Sequence, residues 1–252
     1  MHYAEYKHSD PSLVRDMVET FPFATIMVNA DDGPVVGQAP LTFRKGRDPA
    51  GAVEFHLARA NRIGALLMPG TPITVMVHGP GAAISPSWFT ASFQGTRPDR
   101  SRTAPTYNYV SLVMRGRLKY MVDAALKDQI ADLVTAHEPA DGWRLAELAP
   151  DLWDGWRRAI QGYRLDIDAF DLTAKLSHGD IPADQPGVVE GLVARALQDD
   201  RVIAKLIGGY DGTPESLRDL LRSLRSDRWK SACAVGQGVG LASPDPAFSS
   251  PG

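Results

Sequence analysis

Cysteine is nearly absent: Cys233 is the one thiol among 252 residues. A disulfide within the chain is therefore impossible, and so is a cysteine-rich zinc or iron–sulfur site. An excess of one charge is also missing. The 27 Lys and Arg nearly balance the 30 Asp and Glu, for a net charge of −3. No whole-surface basic field for nucleic acid exists. No window approaches eighteen uninterrupted apolar residues, so no membrane-spanning helix is expected. The opening MHYAEYKHSD lacks the apolar stretch of a signal peptide. These absences together lead us to expect a soluble cytoplasmic protein. There is no HExxH, no GxSxG and no P-loop. The six histidines show no metal-ligand spacing. Gly236, Gly238 and Gly240 imitate a phosphate loop only in composition, because no amphipathic helix follows them.

What is present suffices for an ordinary core, with 44% hydrophobic residues. Apolar runs bounded by turn residues predict strands over 21–29, 35–43, 52–58, 72–79, 107–121 and 163–177. The first two read as a hairpin about Asp31-Asp32-Gly33-Pro34. Helical spacing predicts helices over 11–20 and 123–138, and a stretch over 145–160 broken near Pro150. The polar, Arg- and Pro-rich segment 92–106 reads as a mobile loop. Residues 186–226 read as helical again, with Leu217, Leu220, Leu221 and Leu224 on one face. Residues 231–252, rich in small residues, glycine and proline, read as a disordered tail. The pattern is that of an α+β chain: an antiparallel sheet or barrel with helices added.

Five segments carry more than periodicity. FHLARAN (55–61) puts His56 inside a strand, with Arg59 and Asn61 at its exit. VHGPGAAISPSWF (77–89) holds a His-Gly-Pro, read as a tight turn that His78 caps, then Ser85, Ser87 and Trp88. APTYNYV (104–110) opens a strand with Tyr107 and Tyr109 on one face. KLSHGD (175–180) and DQPGVVEGL (184–192) close the series. In this order the segments resemble those of the PaiB family of FMN-binding negative transcriptional regulators. There they read approximately GHxARAN, HGPxAYISPSWY, VPTWNYVxVHVxG, KLSQNR and DRAGVIEGL. The likeness covers residues 2 to 192. It divides the chain into a PaiB-like domain, 1–192, a helical extension, 193–230, and the tail.

The resemblance implies a split β-barrel with a helical insertion and a C-terminal helical extension. It implies a homodimer with a cofactor near the subunit interface. It also reaches a haem-using branch, the piperazate synthases, which close an N–N bond within an N-hydroxylated amino acid. Their proximal histidine falls on His56. Haem b is thus the first cofactor implied, with His56 as its metal ligand, and FMN is the alternative. On the haem reading the substrate is a small N-hydroxylated amino acid. Arg59 and Asn61 are candidates for holding a propionate, a phosphate or a substrate carboxylate. Ser85, Trp88 and Tyr107 are candidate pocket residues. Lys175 and Tyr109 are candidate catalytic groups, as proton donor or carboxylate partner. Each has a plainer reading: a strand histidine bonded to a backbone carbonyl, a strand-ending asparagine, a core tryptophan, a surface lysine. Two family histidines are replaced, by Ala39 and Val113, and His178 is new to the pattern. The FMN alternative includes a flavin reductase or oxidase, or a PaiB-type regulator. Direct nucleic-acid binding ranks low, although residues 201–230 carry seven Lys and Arg against four Asp and Glu.

Overall fold

The structure, a computed structural model, describes residues 4–92 and 104–236. Of the loop expected over 92–106, residues 93–103 lie outside the described residues and Thr106 already belongs to a strand; the tail from 237 lies outside as well. Eight strands form one antiparallel sheet: β1 (Lys7–His8), β2 (Phe23–Ala30), β3 (Gly33–Pro40), β4 (Thr42–Arg44), β5 (Ala52–Ala58), β6 (Pro72–Ile84), β7 (Thr106–Tyr120) and β8 (Ile160–Lys175). The lateral order is β3-β2-β6-β7-β8-β5-β4, and β1 pairs with β8. Strand alternation sets the faces. Ile26, Val28, Val75, Val77, Leu112, Met114, Leu165 and Ile167 are buried. Thr25, Met76 and Val113 lie in register with one another on the opposite face.

Close approaches bend the sheet. Gly116 sits at a register shift in β7, where an added Cβ would lie 2.1 Å from the Asp166 carbonyl. Only glycine allows β8 to cross there. Gly37 of β3 lies against Ile63, just beyond β5, at 3.0 Å from a hypothetical Cβ. The two ends of the strand order thus curl toward each other without hydrogen-bonding: a barrel left open.

Six helices accompany the sheet: α1 (Ser12–Thr20), α2 (Asp123–His137), α3 (Pro150–Ala159), α4 (Gln185–Arg195), α5 (Asp200–Gly209) and α6 (Pro214–Gly236). Leu13, Val14, Met17 and Val18 of α1 are fully buried. Its other edge faces α6, where Arg218 meets Asp10, Arg222 meets Asp16 and Arg225 meets Glu19. Leu206 and Ile207 of α5 and Leu217 and Leu221 of α6 join the same core as the strands. Each such side chain adds about 1.5–3 kcal/mol by leaving water. The expected helical extension is therefore packed against the sheet domain. Helix α6 runs on to Gly236, so the start of the expected tail is helical.

One local expectation needs correction. His78-Gly79-Pro80 is no tight turn, and His78 caps nothing there. Strand β6 continues through it, with a bulge between His78 and Gly81. Proline cannot donate to the ladder, and a Cβ at Gly79 would stand 2.7 Å from the Val110 carbonyl. The strand absorbs both by bulging rather than reversing.

Candidate functional site

The candidate residues fall into two groups at opposite ends of β8. His56, Arg59 and Asn61 belong to β5 and its exit, where His56 pairs with Gly162. Tyr109 pairs with Lys175 at the far end of the same strand. Twelve residues of β8, 163–174, separate the two rows, up to about 40 Å of strand. One protomer does not bring His56 and Lys175 together.

His56 is oriented by a relay. Its Nδ1 lies 2.8 Å from Oε1 of Gln129, on α2. The Gln129 amide donates in turn to the Thr42 hydroxyl at 3.0 Å. That donation turns the amide oxygen toward the imidazole, so Nδ1 carries the proton and Nε2 keeps its lone pair. Gln129 is wholly buried, whereas His56 is partly exposed. Among the described residues Nε2 makes no hydrogen bond. A histidine held through one nitrogen with the other free is the arrangement of an axial ligand.

At the strand exit Asn61 accepts from the Ile63 amide and caps a short 3-10 turn, Arg62–Ala65. Its carbonyl oxygen is thus engaged in structure. Arg59 donates through Nε to the Arg158 carbonyl at 3.1 Å, leaving its terminal nitrogens free among the described residues. Arg62 is exposed on the same turn and has no carboxylate partner among the described residues. A groove of about 390 Å³ runs from Asn61 and Arg62 to Asp32 and Val36 of the β2–β3 hairpin. Tyr163, stacked on Phe55 at 5.2 Å, completes this end. Burial raises its phenol pKa, with Tyr120 adding to the rise and Arg59 opposing it. Sequence reasoning missed Gln129, Arg62 and Tyr163. Arg62 alone left a signal, as a second arginine in LARANR.

At the other end Lys175 is 8% exposed and bonds the Thr106 hydroxyl. Its ammonium lies 5.8 Å from the Tyr6 ring centre. No carboxylate pairs with it among the described residues. Tyr109 shares its face, and Tyr107 stands exposed two residues along. Beside them Asn108 donates to the Ser177 hydroxyl at 2.6 Å, and Ser177 holds a left-handed φ of 60°. Ser85 accepts from the Ser87 amide and caps a turn. Trp88 packs on α4: a Cβ at Gly191 would fall 2.3 Å from its ring, and Arg195 lies 5.0 Å from the ring centre. Trp88 thus makes structural contacts here. His178 bonds the Glu5 carbonyl at 2.9 Å, and its buried Nδ1 has no hydrogen-bond partner among the described residues. Among the described residues no three His, Cys, Asp or Glu side chains converge on a common metal position.

Residues 1–169 match the model of the family described as "Putative FMN-binding domain". The chain belongs to this FMN-binding family. The match spans the His56, Trp88 and Tyr107 segments and stops before Lys175. A curated relative, protease synthase and sporulation protein PAI 2 of Bacillus subtilis, is 22% identical over 204 residues, covering 80% of this chain and 93% of that protein. Two solved structures share the fold at a TM-score of 0.51. One is an FAD and heme binding protein of Mycobacterium smegmatis, 19% identical, covering 68% of this chain and 73% of its own. The other is the flavocytochrome Anf3 of Azotobacter vinelandii, 18% identical, covering 69% and 71%. The FMN-binding family thus accounts for the α+β split barrel, while α4 to α6 lie beyond the matched residues. Among the described residues no helix is long and apolar enough to cross a membrane.

Proposed function

We propose that this chain is a flavin-binding redox protein whose cofactor lies against the exit of β5. One observation carries the reading: Arg59 precedes and Arg62 opens a single turn capped by Asn61, Arg62 lines the open groove, and neither arginine is neutralised by a carboxylate among the described residues. Uncommitted guanidinium donors suit a phosphate, which accepts paired N–H bonds. Asn61 fixes the turn that presents them. Family membership supports the same ligand. A bound flavin would supply reversible electron transfer. The chain's own part is to hold the phosphate and to set Ile63 and Val36 beside the bound group.

We propose that a second copy of the chain covers the outer sheet face, where Phe23 and Val36 are more than half exposed and Met27 and Met76 share the same face. Such a dimer offers the route by which the Lys175 end of one subunit could reach the β5 end of the other. A small-molecule substrate would then meet residues of both.

The His56 relay favours a second reading, haem ligation. It fits the donor chemistry, since Nε2 is free and Nδ1 is fixed. On that reading the reaction closes an N–N bond within an N-hydroxylated amino acid as its N–O bond breaks, the hydroxyl leaving as water. Lys175 would bind its carboxylate or donate a proton only across the dimer.

Fluorescence titration of the apoprotein with FMN separates the two. The flavin reading expects saturable quenching, weakened about tenfold or more by Arg62→Ala or Arg59→Ala and indifferent to His56→Ala. Absent quenching together with His56-dependent uptake of haem overturns it in favour of the second reading.

A further inference from the structure

A second groove, of about 420 Å³, lies between α1, β4, α2 and α6. It shares no lining residue with the groove at the β5 exit. Its size falls within the range of about 300–1,000 Å³ typical of small-molecule sites. The apolar part is built by Val18 of α1, Leu41 and Phe43 about β4, and Leu133 of α2. Charge sits on two opposed walls. On one, Arg44 joins Glu54 at 2.7 Å and Asp132 at 2.5 Å. On the other, Arg225 of α6 meets Glu19 of α1.

Each arginine has donors to spare. Arg44 uses Nε and one terminal nitrogen, and Arg225 uses one terminal nitrogen on Glu19. A guanidinium carries five N–H donors, so both can accept a further carboxylate. Asp132 is 54% exposed and Glu19 38%, so their remaining lone pairs are open to an ammonium. In the lining Arg44 and Arg225 balance Asp132 and Glu19, and behind Arg44 the Glu54 carboxylate is matched by Arg164 at 3.0 Å. A ligand with a single net charge finds no net attraction there. A zwitterion with an apolar body meets a partner for every part.

We propose that this groove binds an apolar α-amino acid, its carboxylate on Arg225 or Arg44, its ammonium on Glu19 or Asp132, and its side chain on Leu41, Phe43 and Leu133. Helix α6, outside the matched family domain, supplies one of its two arginines, Arg225. Thr42, also in its lining, accepts the Gln129 amide that orients His56. An occupant therefore sits one hydrogen bond from that relay. The proposal does not depend on which cofactor the β5 exit holds.

Calorimetry on the full chain tests it with L-phenylalanine as probe. 3-Phenylpropanoate lacks the ammonium, and 2-phenylethylamine lacks the carboxylate. Saturable binding of L-phenylalanine is expected, with each analogue weaker by about tenfold or more. Leu133→Trp, which fills the groove, should abolish binding, and Arg225→Ala should weaken it by a similar factor. Thermal melting checks that both variants fold. Absence of saturable heat with the unaltered protein overturns the proposal. So does an analogue that binds as tightly as the amino acid, or binding that survives both substitutions.

Discussion

At Gln129 one side chain decides what His56 can do. The amide bridges His56 and Thr42 from a wholly buried position. Gln129→Leu would keep the volume and strip both partners. It should cost about 1–2 kcal/mol of stability in urea unfolding, because the imidazole N–H and the Thr42 hydroxyl lose a buried partner. The nitrogen-15 shifts of His56 should report a mixture of tautomers in place of the Nδ1-protonated form. None of this was legible in the sequence. Gln129 is a polar position in an amphipathic helix, and its partner lies 73 residues away. His56 itself stood out only through the family motif.

His8 Nε2 lies 2.7 Å from the Tyr210 hydroxyl. Burial lowers the His8 pKa, the nearby His178 lowers it further, and Asp10 opposes the shift. Below the ordinary histidine value of about 6.5 the unfolded chain then takes up the proton more readily than the folded one, so stability falls as the solution is acidified. Tyr210 runs the other way, its phenol pushed up to about 12 by burial with Asp211 adding to the rise. Its contribution is whole below about pH 10 and is lost as pH rises through the folded value. Denaturant unfolding across pH should therefore show a shallower acid slope in His8→Gln and a shallower alkaline slope in Tyr210→Phe. Slopes identical to the unaltered protein would contradict the assignment.

At the scale of elements, close packing governs. Helix α4 can lie on Trp88 only because Gly187 and Gly191 leave room: their added Cβ atoms would fall 2.2 Å from the Trp88 carbonyl and 2.3 Å from its ring. Gly191→Ala should cost about 1–3 kcal/mol by overpacking, with Trp88 shifting outward. A thermal melt reads the loss, and one unchanged from the native protein would count against this packing. In an isolated helix the same change would stabilise, since alanine is the better helix former. The sequence pattern shows the opposite preference, which is why the glycines of QPGVVEGL looked like motif letters and not contact points. Element type was readable wherever periodicity was strong. The hairpin about Gly33, the long strands and the break at Pro150 all follow from local chemistry. The His78-Gly79-Pro80 bulge did not follow, because the same three residues suit a turn or a bulge and only the neighbouring β7 decides.

For the whole molecule, strand alternation and the family motifs gave the α+β split barrel. They did not give the separation of the site residues. Motifs are read in chain order, and the run from FHLARAN to KLSHGD implied a single pocket. The sheet places His56 and Lys175 at opposite ends of one strand, because β5 and β7 flank β8 at different heights. Nor could periodicity show that α5 and α6 complete the core and clamp α1 through Arg218, Arg222 and Arg225.

The visible absorption spectrum of the protein purified from cells supplied with both flavin and haem precursor decides which cofactor the chain holds. A bound flavin gives a two-banded spectrum, expected to be retained in His56→Ala and lost in the Arg59→Ala, Arg62→Ala double variant. A single intense Soret band that disappears in His56→Ala would contradict the flavin reading.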